Sequence, residues 1–387
     1  MRIAILGQGY VGYALATAIT EVGHSVIGFD TNLNVISKIK ENNDLINYLP
    51  TNNEVDIKDQ DIYVIAVPTP LNENNIPDIT FLKQASTLIA RSSSNGALVI
   101  NESTSFPGTL REVVIHEIEK INNSKFMYAA APERIDPSNS EWNIKNTPRV
   151  IAGIDEQSTK AALEFYRTIC SDLMVVRSPE IAECAKLFEN TFRQVNIALV
   201  NELAQISEKL GISATEVIQA ASTKPFGFMK FKPSLGVGGH CIPIDPIYLA
   251  EKAESLGAPA EFIRHASLIN QQMPGYIMER IRALLGGILI DKKICIVGLS
   301  YKANVSDLRE SPSLELRKKL IENSANVFFH DDIVKELSGD KSTPLTPDSF
   351  DLVLLAVHHQ GLDIDKLKKS TKIIFDCTGS ISEAVQL

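Results

Sequence analysis

An α/β chain, with two parallel-sheet halves and a long helix between them, is the fold that three features of this sequence predict. Residues 1–30 alternate an apolar strand, a glycine turn, an apolar helix and a second strand. The stretch from Glu180 to Leu210 keeps helical periodicity with few breakers before Gly211. From Lys293 onward, strand and helix patterns alternate again.

The first strand is Arg2 to Leu6, followed by Gly7-Gln-Gly-Tyr-Val-Gly12, a helix through Thr20 and a strand from Ser25 to Phe29. In that setting Gly7 permits a tight turn, Gly9 lets a pyrophosphate approach the backbone, and Gly12 allows close helix packing. The helix amides receive the phosphate charge. Tyr10 and Val11 complete a dinucleotide-binding loop. Asp30 ends the second strand, where its carboxylate accepts both ribose hydroxyls and repels a 2′-phosphate, so NAD is favoured over NADP. A surface turn acid is the competing reading of Asp30.

Strands at Asp61 to Val67 and Ala97 to Asn101 deliver Val67-Pro-Thr-Pro70 and Glu102-Ser-Thr-Ser105 to the carboxyl edge of the sheet. Loops at such edges contact a cofactor or the reacting carbon, which makes Pro68, Thr69 and Thr104 candidates. A strand near Phe126 to Ala130 leads into Ala131-Pro-Glu-Arg-Ile-Asp-Pro137, where Glu133 and Arg134 are site candidates against the alternative of a solvated turn. Within the long helix, Lys186 and Asn190 are four residues apart and share a face. If that face meets Cys241, Lys186 can stabilise an oxyanion and Asn190 can fix a water or an acyl oxygen; otherwise both meet solvent. Cys241 itself lies in Gly236-Val-Gly-Gly-His-Cys-Ile-Pro-Ile-Asp-Pro246, a glycine-rich approach to an Asp-Pro helix start. Glycines such as Gly238 let backbone come close to a ligand, and helix amides beyond favour a thiolate, the form that attacks a substrate covalently. A buried, inert thiol is the other reading.

The tail repeats the α/β pattern: a strand at Lys293 to Gly298, a helix around Ser313 to Glu322, and strands at Val327 to Phe329 and Leu352 to Val357. Its Gly298-Leu-Ser-Tyr-Lys302 turn lacks the full glycine pattern of the first loop, so a sugar-bearing nucleotide suits it better than a second NAD. The expected organisation is two Rossmann-like domains, 1–177 and 288–387, joined by a central helical domain, 178–287, that carries Cys241.

The chain has 387 residues, 44% of them apolar, enough to give each domain its own core. A net charge of −9 gives no support for nonspecific nucleic-acid binding. Five scattered cysteines with no CxxC pair fit a reducing compartment, with the cytoplasm as the default. No apolar run reaches transmembrane length, and the first residues enter the glycine loop directly instead of a cleavage region.

The segments GQGYVG, VPTP, EST, APERIDP, AECAKLFENTF, GVGGHCIPIDPIYL and YKANVSDLRESPSLE run in order from Gly7 to Glu315. Together they resemble the UDP-sugar 6-dehydrogenases, which oxidise UDP-glucose, UDP-N-acetylglucosamine or UDP-N-acetylmannosamine to uronic acids for polysaccharide biosynthesis. The resemblance implies Cys241 as nucleophile, Asp245 as its acid/base and water-orienting neighbour, Lys186 as oxyanion stabiliser and Asn190 as a partner around the reacting group. It implies Thr104 near the catalytic water and Glu133 in proton transfer or late hydrolysis. Asp245 is also a good N-cap before Pro246, a purely structural alternative. Tyr301 and Lys302 resemble UDP-sugar contacts, and Arg309 an arginine that touches NAD.

The implied reaction uses two NAD molecules in succession and no metal, through a Cys241 thiohemiacetal and thioester. A homodimer through the central helix is implied as well. Glu133-Arg134 with Gly239-His-Cys-Ile-Pro243 resembles the branch acting on 2-acetamido sugars. Asp136-Pro137 and Asn139 place UDP-N-acetylglucosamine ahead of its mannosamine epimer. Two departures stand out: only about thirty residues separate Asp30 from Asp61, fewer than the family normally has, and Thr378 stands where an arginine is expected. UDP-glucose oxidation, a one-step 2-hydroxy-acid dehydrogenase and a noncatalytic NAD-sensing protein are the rival readings. Counting NADH formed per sugar consumed separates a two-step sugar dehydrogenase from the last two of these.

Overall fold

Short apolar runs make the strands, and the burial of the central ones shows that both faces of the two large sheets are covered there. The computed structural model describes residues 1–136, 139 and 141–387, so Pro137 lies outside the described residues. The chain divides into two compact units, Met1–Glu189 with Ile247–Pro259, and Asn190–Pro246 with Ala260–Leu387.

The first unit begins β1 (Arg2–Leu6), α1 (Tyr10–Glu21), β2 (Ser25–Phe29), α2 (Leu33–Glu41), β3 (Tyr48–Thr51), β4 (Ile62–Ile65), α3 (Thr80–Ser92) and β5 (Leu98–Asn101). A π-helical stretch (Leu110–Ile115) runs into α4 (His116–Glu119), then β6 (Met127–Ala130), β7 (Arg149–Gly153), α5 (Glu156–Tyr166) and β8 (Leu173–Val175). The strands assemble in the order β3-β2-β1-β4-β5-β6-β7-β8, parallel except where β7 meets β6. The order reverses between β1 and β4, which opens a crevice at their carboxyl ends. Alternation along the strands splits the core into two layers: Ile3 and Ile5 face one, Ala4 and Leu6 the other. Between Asp30 and β4 the chain builds only α2, β3 and a run of turns over 54–59, with Ile57 fully buried among them.

Then come α6 (Pro179–Leu210), α7 (Ala214–Ser222), α8 (Asp245–Ser255) and α9 (Glu261–Leu284). Buried Glu183 on α6 accepts the Gly108 and Leu110 N–H groups at 2.6 and 2.8 Å, satisfying donors where the π-helical stretch begins. Among the described residues, no helix is long and apolar enough to cross a membrane.

The second unit ends in β9 (Lys293–Val297), α10 (Pro312–Glu322), β10 (Asn326–His330), a small hairpin of β11 (Glu336–Leu337) and β12 (Asp340–Lys341), β13 (Leu352–Leu355), α11 (Ile364–Ser370), β14 (Ile374–Asp376) and β15 (Val385–Gln386). Its five-stranded sheet is parallel in the order β10-β9-β13-β14-β15. Ile294 and Ile296 face one core layer, Cys295 and Val297 the other.

The two sheets share one backbone device. Gly7 N–H donates to the Phe29 carbonyl at 2.8 Å, and Gly298 N–H to that of His330 at 3.0 Å. Both glycines have positive φ, +95° and +87°, and a Cβ would lie 2.4 Å from the Ala66 oxygen or 2.5 Å from the Val357 oxygen. The next residue of each turn donates to an aspartate at the end of the following strand: Gln8 to Asp30 at 2.8 Å, Leu299 to Asp331 at 2.7 Å.

Candidate functional site

The carboxyl edge of the first sheet gathers the Gly7–Gly12 turn and the loops after β4, β5 and β6. The turn fits a dinucleotide. A Cβ on Gly12 would lie 1.9 Å from the Gly7 oxygen, whereas the space around Gly9 is open. Partly buried Asp30 receives the N–H groups of Gln8 and Asn32 at 2.8 Å each, which orients its carboxylate. Val11 is partly buried, and Tyr10 is exposed at the start of α1. Burial, with the charges of Asp136 and Glu133, raises the pKa of Tyr10, so the tyrosine lies within electrostatic reach of the loop after β6. Pro68 is exposed, and Thr69 donates its hydroxyl to the Thr104 carbonyl at 2.6 Å, tying two edge loops together.

Glu133 is buried and heavily engaged. One oxygen accepts the N–H groups of Arg134 and Ile135 at 2.6 and 2.8 Å, and the other accepts from the Arg149 guanidinium. Burial opposes its charge, but Arg149, those two N–H groups and Lys186 outweigh burial and hold its pKa below the ordinary value. Thus Lys186 and Glu133, joined by no sequence spacing, lie within electrostatic reach of each other. Arg134 turns to Glu189 at 2.6 Å and to the Pro148 carbonyl at 2.7 Å, which anchors the loop. Exposed Asn139 accepts the N–H groups of Glu141 and Trp142.

In the second unit, Cys241 is exposed, while Cys170, Cys295 and Cys377 are buried and Cys184 is intermediate. Cys241 is therefore not a buried thiol, as its alternative reading had it. Its carbonyl accepts the N–H groups of Ile244 and Asp245 at 3.1 and 2.8 Å, which closes the turn into α8. Those two amides are thus spent on the Cys241 backbone. Asp245 is only 3% exposed, and Asn190 donates to its carboxylate at 2.6 Å. Asn190, Asp245 and Cys241 are therefore brought together, with the asparagine gripping the aspartate.

The glycines of this loop serve packing. A Cβ on Gly238 would lie 2.6 Å from the Glu310 oxygen, and one on Gly239 2.7 Å from the Tyr301 ring. Gly239 also donates its N–H to the Arg309 carbonyl at 3.1 Å. The Arg309 side chain folds back onto Asp307 at 2.5 Å, and Tyr301 and Lys302 lie on the turn after β9, both partly buried. Burial and Arg309 together lower the pKa of His240, which favours its neutral form. Thr378 donates its hydroxyl to Asp376 at 2.7 Å and lines a cleft of about 100 Å³ with Lys230 and Lys232. Among the described residues, no cluster of His, Cys, Asp and Glu is placed to hold a metal ion.

Sequence reasoning missed Glu102, Arg149 and Glu189 as partners of the site. A carboxylate directly after the apolar run Leu98–Asn101 and an arginine directly before Val150-Ile-Ala152 were the available signals, since charges at such positions enter a buried edge.

Three domain models of the UDP-glucose/GDP-mannose dehydrogenase family match in succession: the NAD binding domain over residues 1–170, the central domain over 180–272 and the UDP binding domain over 295–383. A UDP-N-acetyl-D-mannosamine dehydrogenase of Methanocaldococcus jannaschii is 35% identical over 97% of this chain and 91% of its own length. A UDP-N-acetyl-D-glucosamine 6-dehydrogenase of Pseudomonas aeruginosa is 32% identical over 97% of this chain and 96% of its own. Among solved structures, the UDP-D-ManNAc dehydrogenase of Pyrococcus horikoshii superposes with a TM-score of 0.90 at 30% identity, covering 100% of this chain and 98% of that one.

Proposed function

This chain belongs to the UDP-glucose/GDP-mannose dehydrogenase family and is an NAD-dependent UDP-sugar dehydrogenase, and from that premise we propose that it oxidises the C6 hydroxyl of a UDP-N-acetylhexosamine twice, through Cys241. The observation that carries this reading is the exposed Cys241 on a turn whose last residue, Asp245, is held by Asn190. NAD, when bound, accepts the hydride in each oxidation. The chain holds it with Gly7, Gly9, Tyr10, Val11 and Gly12 at the pyrophosphate, Asp30 at the ribose, and Pro68, Thr69, Thr104 and Arg309 along its length.

The protein's own groups move the protons and the sulfur. A base takes the C6 hydroxyl proton as the first hydride leaves, giving an enzyme-held aldehyde. The Cys241 thiolate then adds to the carbonyl carbon, and Lys186 stabilises the oxyanion of the thiohemiacetal. Loss of the second hydride gives a thioester, which water cleaves to the carboxylate and the free thiol. Asp245 and Thr104 orient that water, Glu133 moves its proton, and Asn190 keeps Asp245 in register. Arg134, Gly238, Tyr301 and Lys302 complete the sugar-nucleotide contacts.

The proposed boundaries are 1–177, 178–287 and 288–387, set at the start of α6 and in the turn between α9 and β9. Phe192, Leu199 and Ile206 are exposed at seven-residue spacing on α6, which supports a homodimer formed through the central domain. Five free cysteines support a cytoplasmic setting. UDP-N-acetylglucosamine is placed ahead of its mannosamine epimer.

The test is the purified chain with NAD and, side by side, UDP-N-acetylglucosamine, UDP-N-acetylmannosamine, UDP-N-acetylgalactosamine and UDP-glucose. About two NADH per sugar and a uronic acid product are expected from an acetamido sugar. Selective turnover of UDP-glucose would defeat the substrate assignment and leave the mechanism standing. One NADH per sugar would defeat the mechanism.

A further inference from the structure

Two carboxylates and one guanidinium lie buried together in the first unit. Arg149, the first residue of β7, is 3% exposed and sits between Glu102 at 1% and Glu133 at 7%. Its Nη1 donates to Glu102 Oε1 at 2.8 Å and to the Ala131 carbonyl at 3.2 Å, and its Nη2 donates to Glu133 Oε2. Tyr166 of α5 donates its hydroxyl to the same oxygen of Glu102, and its ring centroid lies 4.7 Å from the guanidinium carbon. One cation therefore serves two acids in a water-poor place, and both acids cannot ionise there without burying a net negative charge.

We propose that Arg149 is the positioning residue that fixes Glu133 as an ionised, immobile acceptor, and that Glu102 tunes this hold by taking up or releasing a proton. The inference rests on reading Glu133 as a proton-transfer group of the reaction. The geometry divides the labour. Glu133 has donors on both oxygens, whereas Glu102 Oε2 has no hydrogen-bond partner among the described residues. Burial pushes Glu102 up to about 7, against the pull of Arg149, while Glu133 is held low. Lys186 on α6 lowers Glu133 further, and Tyr10 and Asp136 lie close enough for their charges to be felt with it. Cys170, after α5, lies within electrostatic reach of Arg149. Only arginine offers a planar fork that spans two acids; a lysine ammonium is a single point.

The proposal is tested by the pH dependence of kcat in the full chain, with NAD and UDP-N-acetylglucosamine, or the mannosamine epimer if that is the sugar turned over. Glu102→Gln keeps the shape and removes the titrating charge. Glu102 titrates near 7 and is already protonated where Glu133, held low, takes up its proton, so Glu102→Gln is expected to leave the acidic limb in place and to abolish the inflection of kcat near pH 7, with KM for the sugar unchanged. Arg149→Lys should move the limb up and lower kcat at pH 7 by about 10- to 100-fold. A folded Glu102→Gln enzyme that keeps the wild-type inflection near pH 7 overturns the proposal, whether or not Arg149→Lys folds. Glu133→Gln separates this failure from that of its premise. Wild-type turnover in Glu133→Gln would remove the proton-transfer reading itself, while a slow Glu133→Gln beside a retained inflection near pH 7 in Glu102→Gln would remove the proposed tuning alone.

Discussion

Replacing Cys241 with serine is expected to cut turnover of the UDP-sugar by at least ~10³-fold while leaving NAD affinity within about twofold. A thiolate forms near neutral pH, whereas an alkoxide does not, so the addition that traps the aldehyde loses its nucleophile. The residue is exposed and its turn is closed by its backbone carbonyl, so the substitution should leave stability nearly untouched. The failure should therefore fall on the second oxidation and hydrolysis. Stopped-flow measurement of the first NADH, with product analysis for aldehyde and uronic acid, reads the two stages apart. Two NADH per sugar at the wild-type rate in Cys241→Ser would sink the covalent assignment.

Asp331→Ala is expected to destabilise the second unit by roughly 3–5 kcal/mol, the range for removing a buried charge that several groups share. The carboxylate is 1% exposed and accepts N–H groups from Leu299, Ile333 and Val334 at 2.7–2.8 Å. His359 adds its Nε2 at 3.3 Å, held as donor because its Nδ1 accepts the Asn304 N–H at 2.9 Å. Burial raises the pKa of Asp331, but His359 and the three amides outweigh burial and bring it down to about 2. A depressed folded value means that this stabilisation, about 2 kcal/mol, is complete above the unfolded value near 4 and is lost as pH falls through about 2. Urea unfolding followed between pH 5 and pH 2 should show the wild type losing stability across that window and Asp331→Ala showing less of that loss. Asp30→Ala should cost less stability, about 1–3 kcal/mol for the buried Gln8 N–H it leaves unpaired, while raising KM for NAD by about 10- to 100-fold and narrowing the preference over NADP. Equal stability losses in the two variants, with unchanged cofactor discrimination, would contradict these assignments.

Much of the frame was legible because it rests on local pattern. The strand–glycine turn–helix–strand run of the first thirty residues and the helix predicted over Glu180–Leu210, found at Pro179–Leu210, depend on periods that neighbouring residues impose. β3 was hidden because Tyr48-Leu-Pro-Thr51 is short and carries a proline, and only pairing with β2 makes it a strand. The antiparallel β7 was equally hidden: five apolar-rich residues do not say which neighbour they will pair with, or in which direction. At the site, the grip of Asn190 on Asp245 joins positions 55 residues apart, and the Arg149 bridge joins β7 to the loops after β5 and β6. No spacing rule encodes such meetings. The glycines before Cys241 were legible as close-approach positions, but what they approach, the Tyr301 ring and the Arg309–Glu310 backbone, was not.

That last contact has a consequence for transplantation. Gly238 and Gly239 leave no room for a side chain against residues 301–312, and Ser234 is tied through Asn201 to Asn270 on α9. The loop that bears the thiol is thus moulded on the turn after β9 and the start of α10. A chimera that exchanges the carboxyl-terminal domain alone inherits a mismatched mould. One that carries residues 190–246 and 260–387 as a single cassette keeps loop and template matched, and it is in that larger piece that a new sugar preference can be grafted together with its chemistry.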